Sequence, residues 1–268
     1  MNKDWDVLII LDACRYDMFK DVYKEFYPEL EVKKRLSPAT WTMSWLVKSF
    51  PDYYEDVVYV SGNPFVNSGM KVTHRSISFF ITETLSFDGR EHFGSVVDVW
   101  KKEGKPLPSD INRAFMKSYL KNPKRRFILH YMQPHRPYTT IGGDAWKFKA
   151  RAGSKGRIFT IKNYLSMPMI WKLKKFLDMP TEAVDEKAYR ESGWDGVKEI
   201  YKNEIRFALK HIKNLTDYLN LKFVITSDHG ERLGEHWWHM KHGPGPRHKE
   251  VIEIPYLEVV GNENPMEN

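Results

Sequence analysis

Short apolar runs separated by helical patterns constrain the fold of this chain most. The run Val7–Leu11 has the length of a strand and holds no polar residue, which is typical of a parallel strand covered on both faces. Further apolar-rich runs lie at 57–60, 126–132, 222–226 and 254–260. The alternation predicts an α/β fold of three αβα layers, in which a mostly parallel central sheet carries helices on both faces.

The chain has 268 residues, a length that one α/β domain can hold, and it contains no evident repeat or linker. We therefore expect a single domain over residues 1–268. A long helix is predicted at about 194–219. The irregular stretch at about 139–193 is predicted to be an insertion with its own short helix around 169–177. The lone cysteine, Cys14, excludes a disulfide framework and a cysteine-based zinc site.

The positive charge of the chain is concentrated in one segment. The net charge is +7, from 42 Lys and Arg against 35 Asp and Glu. Residues 145–177 hold nine basic and no acidic residues, which leaves 33 basic and 35 acidic residues elsewhere. This distribution argues against nucleic acid as a partner. The interleaved cations and aromatics suit an anionic membrane surface or a polyanionic substrate, and the alternative is a solvated face of extended lysines.

The N-terminal sequence predicts a cytoplasmic protein. Residues 1–6 lead directly into the first apolar run, which is too short and too closely flanked by acidic residues for a signal peptide. No apolar run reaches the ~18 residues that a membrane span needs. We expect a cytoplasmic location, with peripheral membrane contact through 145–177 as an option.

Polar residues follow the predicted strands at their carboxyl ends, where open α/β sheets bind ligands. Asp12 follows the first strand, Asn63 the second, His135 the third, and Asp228 with His229 the fourth. A carboxylate beside an imidazole can bind a divalent cation through oxygen and nitrogen. The alternative for an isolated Asp-His pair is a helix N-cap next to a partly exposed histidine.

Five motifs, in order along the chain, resemble the alkaline phosphatase superfamily in its sulfatase-like and phosphodiesterase-like branches. The most specific is Thr-Ser-Asp-His-Gly-Glu-Arg-Leu-Gly-Glu-His at 226–236, which resembles the metal-binding motif of that family. The others are Leu11-Asp12, Pro-His-Arg-Pro-Tyr at 134–138, the helix from Tyr201 and Ile-Pro-Tyr-Leu at 254–257. The resemblance runs from about 6 to 260, although 60–125 and 139–190 match only loosely.

The resemblance implies a threonine nucleophile at the start of a helix. In the segment 37–45 it favours Thr42. A threonine hydroxyl reacts only when a metal or a base activates it, and a helix N-terminus stabilises an anionic oxygen there. The alternative is that Thr40, Thr42 or Ser44 is an ordinary N-cap.

The resemblance also implies one divalent metal site, for Zn, Mn or Ca, with a second ion possible. The implied ligands are Asp12, Thr42, Asp228 and His229. His135 and His242 are then substrate ligands or general acids for the leaving oxygen. His130 is predicted to pack within the third strand.

Two further residues are candidates for substrate binding. Arg15 could make a bidentate contact with a phosphate, and the alternative is an ion pair with a carboxylate such as Asp17. Asn63 resembles an asparagine that some phosphodiesterase-like members place on a non-bridging oxygen.

The sequence thus predicts a metal-dependent hydrolase of phosphate mono- or diesters that works through a phosphothreonine intermediate. Anionic small molecules, lipids or polymers are the expected substrates. No Cys/Ser-x-Pro-x-Arg motif is present, which disfavours sulfatase chemistry through formylglycine. The alternatives are a sulfatase or phosphotransferase on the same scaffold, or a non-catalytic module that binds polyanions or a membrane surface.

Overall fold

The computed structural model describes residues 4–77, 82–100, 104–139, 167–181, 184–236, 239–240 and 242–261. Its strands are β1 (Val7–Leu11), β2 (Lys33–Leu36), β3 (Tyr54–Ser61), β4 (Val72–Ile77), β5 (Thr82–Phe87), β6 (Phe93–Asp98), β7 (Arg126–Tyr131), β8 (Lys222–Ser227), β9 (Leu233–His236), β10 (His239–Met240) and β11 (Glu253–Val260). Its α-helices are α1 (Tyr16–Val22), α2 (Thr42–Ser49), α3 (Gly89–His92), α4 (Pro108–Tyr119), α5 (Met167–Phe176), α6 (Val184–Tyr218) and α7 (Lys249–Ile252).

A seven-stranded mixed sheet forms the centre, in the order β2-β11-β8-β1-β7-β3-β6. The five strands from β8 to β6 run parallel, whereas β11 is antiparallel to both β8 and β2. The hairpins β4–β5 and β9–β10 form two small separate sheets. The predicted fold class, a mostly parallel sheet with helices, is confirmed.

The alternation of side chains along β1 explains why this strand is wholly apolar. Val7, Ile9 and Leu11 point into the core beneath α1, α4 and α6, while Leu8 and Ile10 point into the core beneath α2. Both faces of the strand are therefore buried, and each enclosed side chain stabilises the fold by about 1.5–3 kcal/mol. The carboxyl end of β1 is thereby held at the middle of the sheet edge.

Helix α6 begins earlier than the apolar pattern predicts. It starts at Val184 rather than near 194 and continues through a break at Ser192 and Gly193, where Gly193 has a φ of 64°. A glycine tolerates this conformation, so two helical segments abut there without a loop between them. The short helix predicted around 169–177 is present as α5.

The part of the predicted insertion at 140–166 lies outside the described residues, so the single-domain division of the chain stays a prediction. Among the helices that are described, none is long and apolar enough to cross a membrane.

Candidate active site

The candidate site lies at the carboxyl ends of the parallel strands, beside the start of α2. Asp12 directly follows β1, Asp228 and His229 directly follow β8, and Thr42 is the first residue of α2. All four side chains are buried, with at most 3% of their surface exposed. The sheet therefore brings together residues that are up to 217 positions apart in the chain.

The Thr42 hydroxyl faces both residues of the Asp-His pair at 228–229. Its Oγ1 lies 2.7 Å from Asp228 Oδ2 and 3.2 Å from His229 Nε2. The N-cap position of α2 is occupied by Trp41, and no side chain caps the helix there. Because Thr42 Oγ1 points to Asp228 rather than back to its own helix, the geometry does not support the interpretation of Thr42 as an ordinary N-cap.

Hydrogen bonds orient the two residues that face Thr42. Asp228 Oδ1 accepts from the backbone N–H groups of Ala13 and His229, at 3.0 and 2.8 Å. His229 Nδ1 lies 2.8 Å from the Gly230 carbonyl oxygen and donates to it, so Nε2 carries the lone pair. Burial alone would raise the pKa of Asp228, but the neighbouring His229 and His130 hold it below its ordinary value.

Asp12 lies beside His130, a residue that the sequence pattern assigned only to packing. His130 Nε2 is 3.7 Å from Asp12 Oδ2, while Tyr59 binds the other ring nitrogen at 2.7 Å. Asn63 Nδ2 donates to Asp12 Oδ2 at 2.7 Å. Burial and the charge of Asp228 raise the pKa of Asp12, and burial lowers that of His130 to about 4.

The chemistry of this cluster fits a divalent cation. Asp12, His130 and Asp228 each offer one donor atom, and these atoms lie within 4.8 Å of one another. Asp12 Oδ1 and His130 Nε2 are buried and make no hydrogen bond to the described residues. Two carboxylates enclosed together repel each other unless a cation or a proton lies between them. Two oxygen donors and a neutral imidazole nitrogen suit Zn or Mn.

The sequence pattern does not mark His130 as a site residue, because it lies within a buried strand. It is indeed fully buried on β7, with its ring edge-on to Trp45 at 6.4 Å. It pairs in register with Ile10, two positions before Asp12. The available signal was its polar side chain next to the apolar run 127–129, close to the end of a parallel strand.

A second group of imidazoles stands beside His229. The ring of His242 lies 4.2 Å from that of His229 and 5.0 Å from that of His135. His242 Nδ1 contacts Glu231 Oε2 at 3.0 Å. Burial opposes the charge on both partners, but their mutual attraction prevails, so the pKa of His242 is raised and that of Glu231 falls to about 2. Burial lowers the pKa of His135 to about 3. His242 is thus the imidazole of this group best able to hold a proton.

Arg15 is engaged by acidic side chains rather than left open for a phosphate. Its Nε and Nη2 atoms lie 2.9 and 2.6 Å from the carboxylate of Asp17. Its Nη1 atom lies 2.5 Å from Glu235 and 3.3 Å from the Glu231 carbonyl oxygen. The structure thus supports the ion-pair alternative for Arg15, which ties the loop after β1 to the loop after β8.

Lys105 holds the loop that carries His135 and could not be assigned from the sequence. Its buried ammonium group donates to the backbone carbonyls of His135 and Pro137, the latter at 3.0 Å, and lies 3.4 Å from Glu204 Oε2. Burial lowers the pKa of Lys105, and the nearby carboxylates oppose this shift. No motif surrounds Lys105, and it precedes His135 by 30 positions, so the contact emerges only in the folded chain.

Comparison with known proteins gives matches in structure alone. No protein-family model matches the chain, and no curated protein matches it in sequence. The integral membrane protein lipooligosaccharide phosphoethanolamine transferase A from Neisseria meningitidis superposes with a TM-score of 0.57 at 16% identity, covering 96% of this chain and 47% of its own. The soluble domain of that enzyme superposes with a TM-score of 0.53 at 15% identity, and the match covers 97% of this chain and 78% of that domain. The periplasmic domain of EptC from Escherichia coli, in complex with Zn, superposes with a TM-score of 0.51 at 14% identity. This match covers 98% of this chain and 74% of that domain.

The predicted cytoplasmic location is wrong, because the similar structures include periplasmic domains. The prediction rested on the lack of an apolar segment in the sequence. That observation does not determine the compartment, since a domain of this fold makes up only about half of an integral membrane protein.

The similar structures and the motifs at the ends of β1, β7 and β8 lead to the same classification. At 14–16% identity the likeness concerns the fold, and the motifs lie where that fold places its site. The chain has the alkaline phosphatase-like α/β fold, that of the superfamily whose motifs its sequence resembles.

Proposed function

We propose that this chain is a metal-dependent enzyme that cleaves phosphoester bonds through a phosphothreonine at Thr42. The observation that carries the proposal is the position of the Thr42 hydroxyl, 2.7 Å from Asp228 and 3.2 Å from His229 at the first turn of α2. A threonine hydroxyl becomes a nucleophile when a neighbouring base or a bound metal activates it.

The metal would be held by Asp12, His130 and Asp228, whose donor atoms lie within 4.8 Å of one another, with His229 as a further donor beside the Thr42 hydroxyl. The zinc complex of the similar Escherichia coli domain supports Zn, and the oxygen-rich donor set also admits Mn. When bound, the ion would supply positive charge that offsets the charge developing on the phosphoryl oxygens.

The residues of the chain itself supply orientation and protons. The Thr42 hydroxyl donates to Asp228 Oδ2, which turns the oxygen lone pairs away from that carboxylate. The free N–H groups of the first turn of α2 favour a phosphoryl anion beside Thr42. Asn63 keeps one Nδ2 hydrogen that Asp12 does not use, and this hydrogen can donate to a non-bridging oxygen.

The reaction then proceeds by two displacements at phosphorus. Thr42 Oγ1 bonds to phosphorus while the bond to the leaving oxygen breaks, and His242 gives the leaving oxygen its proton. The proton of the Thr42 hydroxyl passes to Asp228 Oδ2, to which it already donates, and returns to Thr42 when the phosphothreonine is cleaved. Water or an acceptor hydroxyl next attacks the phosphothreonine, which releases Thr42. His242, held by Glu231, accepts the proton of the attacking group, so the site returns to its starting state.

The group that resolves the intermediate separates a hydrolase from a transferase. The sequence predicts a hydrolase, in which water attacks. A transferase is the second candidate, because three of the similar structures are named phosphoethanolamine transferases, among them the lipooligosaccharide enzyme from Neisseria meningitidis. In both cases an anionic lipid or polymer is a fitting substrate.

A substrate panel tests the proposal. Protein loaded with Zn or Mn is assayed with aryl phosphate, aryl phosphodiester and aryl sulfate, with and without an alcohol acceptor. We expect turnover of a phosphate ester, and capture of the phosphoryl group by the alcohol would identify a transferase. Preference for the sulfate would contradict the proposal, and protein that binds no divalent metal would favour the non-catalytic alternative.

Replacing His130 with phenylalanine is expected to weaken metal binding by roughly 10- to 100-fold, the usual effect of removing a group that supports a metal site. The affinity is measured by competition with a coloured chelator. The control is His211→Phe, which changes a half-buried histidine on α6. Unchanged metal affinity in a folded His130→Phe protein would show that this imidazole does not serve the metal.

A further inference from the structure

Helix α5 presents an apolar face to solvent. Met169, Leu173, Phe176 and the following Leu177 have 48, 50, 85 and 56% of their surface exposed. Their spacing of four, three and one residues places them on one side of the helix. Scattered apolar residues are normal on a protein surface, but a contiguous apolar patch marks a site of interaction.

The opposite side of α5 fixes the direction of this face. Trp171 is buried, and its ring lies 5.3 Å from that of Tyr189 and 6.4 Å from that of Trp194 on α6. Lys174 Nζ lies 3.5 Å from Oε2 of Glu186, which is also on α6. The apolar face therefore points away from the body of the protein because the other face is already packed.

Helix α5 is connected to the loops that carry the candidate site. Trp194, which contacts Trp171, packs directly against Gly234 in β9. A Cβ atom added to Gly234 would lie 2.1 Å from the ring of Trp194. The next residue, Glu235, pairs with Arg15, three positions after Asp12. The packed side of α5 is thus linked through Trp194 and β9 to the loop that follows Asp12.

The charge around the apolar face indicates the nature of the partner. Helix α5 carries Lys172, Lys174 and Lys175 and no acidic residue. In sequence it ends the segment 145–177, which has nine basic and no acidic residues. Apolar residues on one side of a helix with lysines on the other are typical of helices that lie in the interface of an anionic bilayer.

We propose that α5 docks the protein on an anionic lipid surface, with Met169, Leu173, Phe176 and Leu177 at the boundary of the acyl chains. The exposed Lys172 then lies at the level of the lipid headgroups, whereas Lys174 and Lys175 hold α5 to Glu186 and to the Arg190 carbonyl of α6. This docking does not depend on the chemistry proposed for Thr42.

Vesicle binding tests the proposal. The protein is sedimented with vesicles of phosphatidylcholine alone and with vesicles that contain about one third phosphatidylglycerol. We expect binding to the anionic vesicles only, weakened by salt. The double variant Leu173→Asp/Phe176→Asp should lose roughly tenfold or more of this binding, because two exposed apolar side chains that the bilayer would bury are replaced by anions.

The matched control is Leu120→Asp, which changes a leucine with 75% exposure next to α4 and should bind as the unmodified protein does. Equal binding by the double variant, or no binding by the unmodified protein, would overturn the proposal. So would self-association that the double variant abolishes, since the face would then belong to a second copy of the chain. Turnover of a soluble aryl phosphate should be the same in the double variant, which separates this proposal from the proposed function.

Discussion

Thr42→Ala is expected to lower the turnover of a phosphate ester by roughly 10³-fold or more, because the variant lacks the oxygen that attacks phosphorus. The fold should persist, since the change removes only a hydroxyl and a methyl group at the first position of α2. Thr42→Ser keeps a hydroxyl and should retain part of the activity. Turnover is measured at saturating substrate, with metal content determined on the same samples.

The control for this experiment is Thr40→Ala. Thr40 lies two residues away, and its hydroxyl donates to the Gly243 carbonyl oxygen at 2.8 Å rather than to Asp228. It should therefore keep activity close to that of the unmodified protein. Full activity in Thr42→Ala would assign the nucleophile to another residue, and equal losses in both variants would indicate that the segment is only structural.

Asp228→Asn is expected to abolish metal retention and, with it, turnover. The substitution preserves the shape of the side chain but removes the negative charge from an enclosed site, and a neutral amide is a much weaker ligand for Zn or Mn than a carboxylate. We expect the metal content after dialysis to fall close to zero and the turnover to drop by roughly 10³-fold or more. Metal analysis of purified protein provides the measurement.

Asp88→Asn is the matched control for Asp228→Asn. Asp88 is equally a buried carboxylate, but it caps α3 and pairs with Arg90 at 2.6 Å. This variant should retain its metal. If Asp228→Asn keeps its metal and its activity, the assignment of the metal to the carboxyl ends of β1 and β8 is wrong.

The sequence predicted the parts of this molecule that depend on local patterns. The wholly apolar Val7–Leu11 predicted a strand buried on both faces, and the polar residues after it and after 222–226 predicted a cluster at one sheet edge. The structure places Asp12 and Asp228 there, within reach of a common cation. A wholly apolar strand followed directly by polar residues is a pattern that one sequence is enough to show.

Contacts between distant segments could not be predicted. The sequence offers Asp17 as a partner of Arg15, but it cannot show the second carboxylate, Glu235, which lies 220 positions away. The place of His130 beside Asp12 depends on the register of β1 against β7, which local patterns do not determine. The apolar pattern does not show the early start of α6, because Gly193 ends the pattern in sequence, whereas the folded chain continues as a helix on both sides of it.

The most direct test of the central claim is rapid acid quenching during turnover, followed by mass spectrometry of the peptides. With Zn or Mn bound and a phosphate ester as substrate, we expect one phosphoryl adduct, located on Thr42 and absent when the metal is removed. Turnover with no adduct on Thr42, or an adduct on another residue such as His135 or His242, would contradict the account.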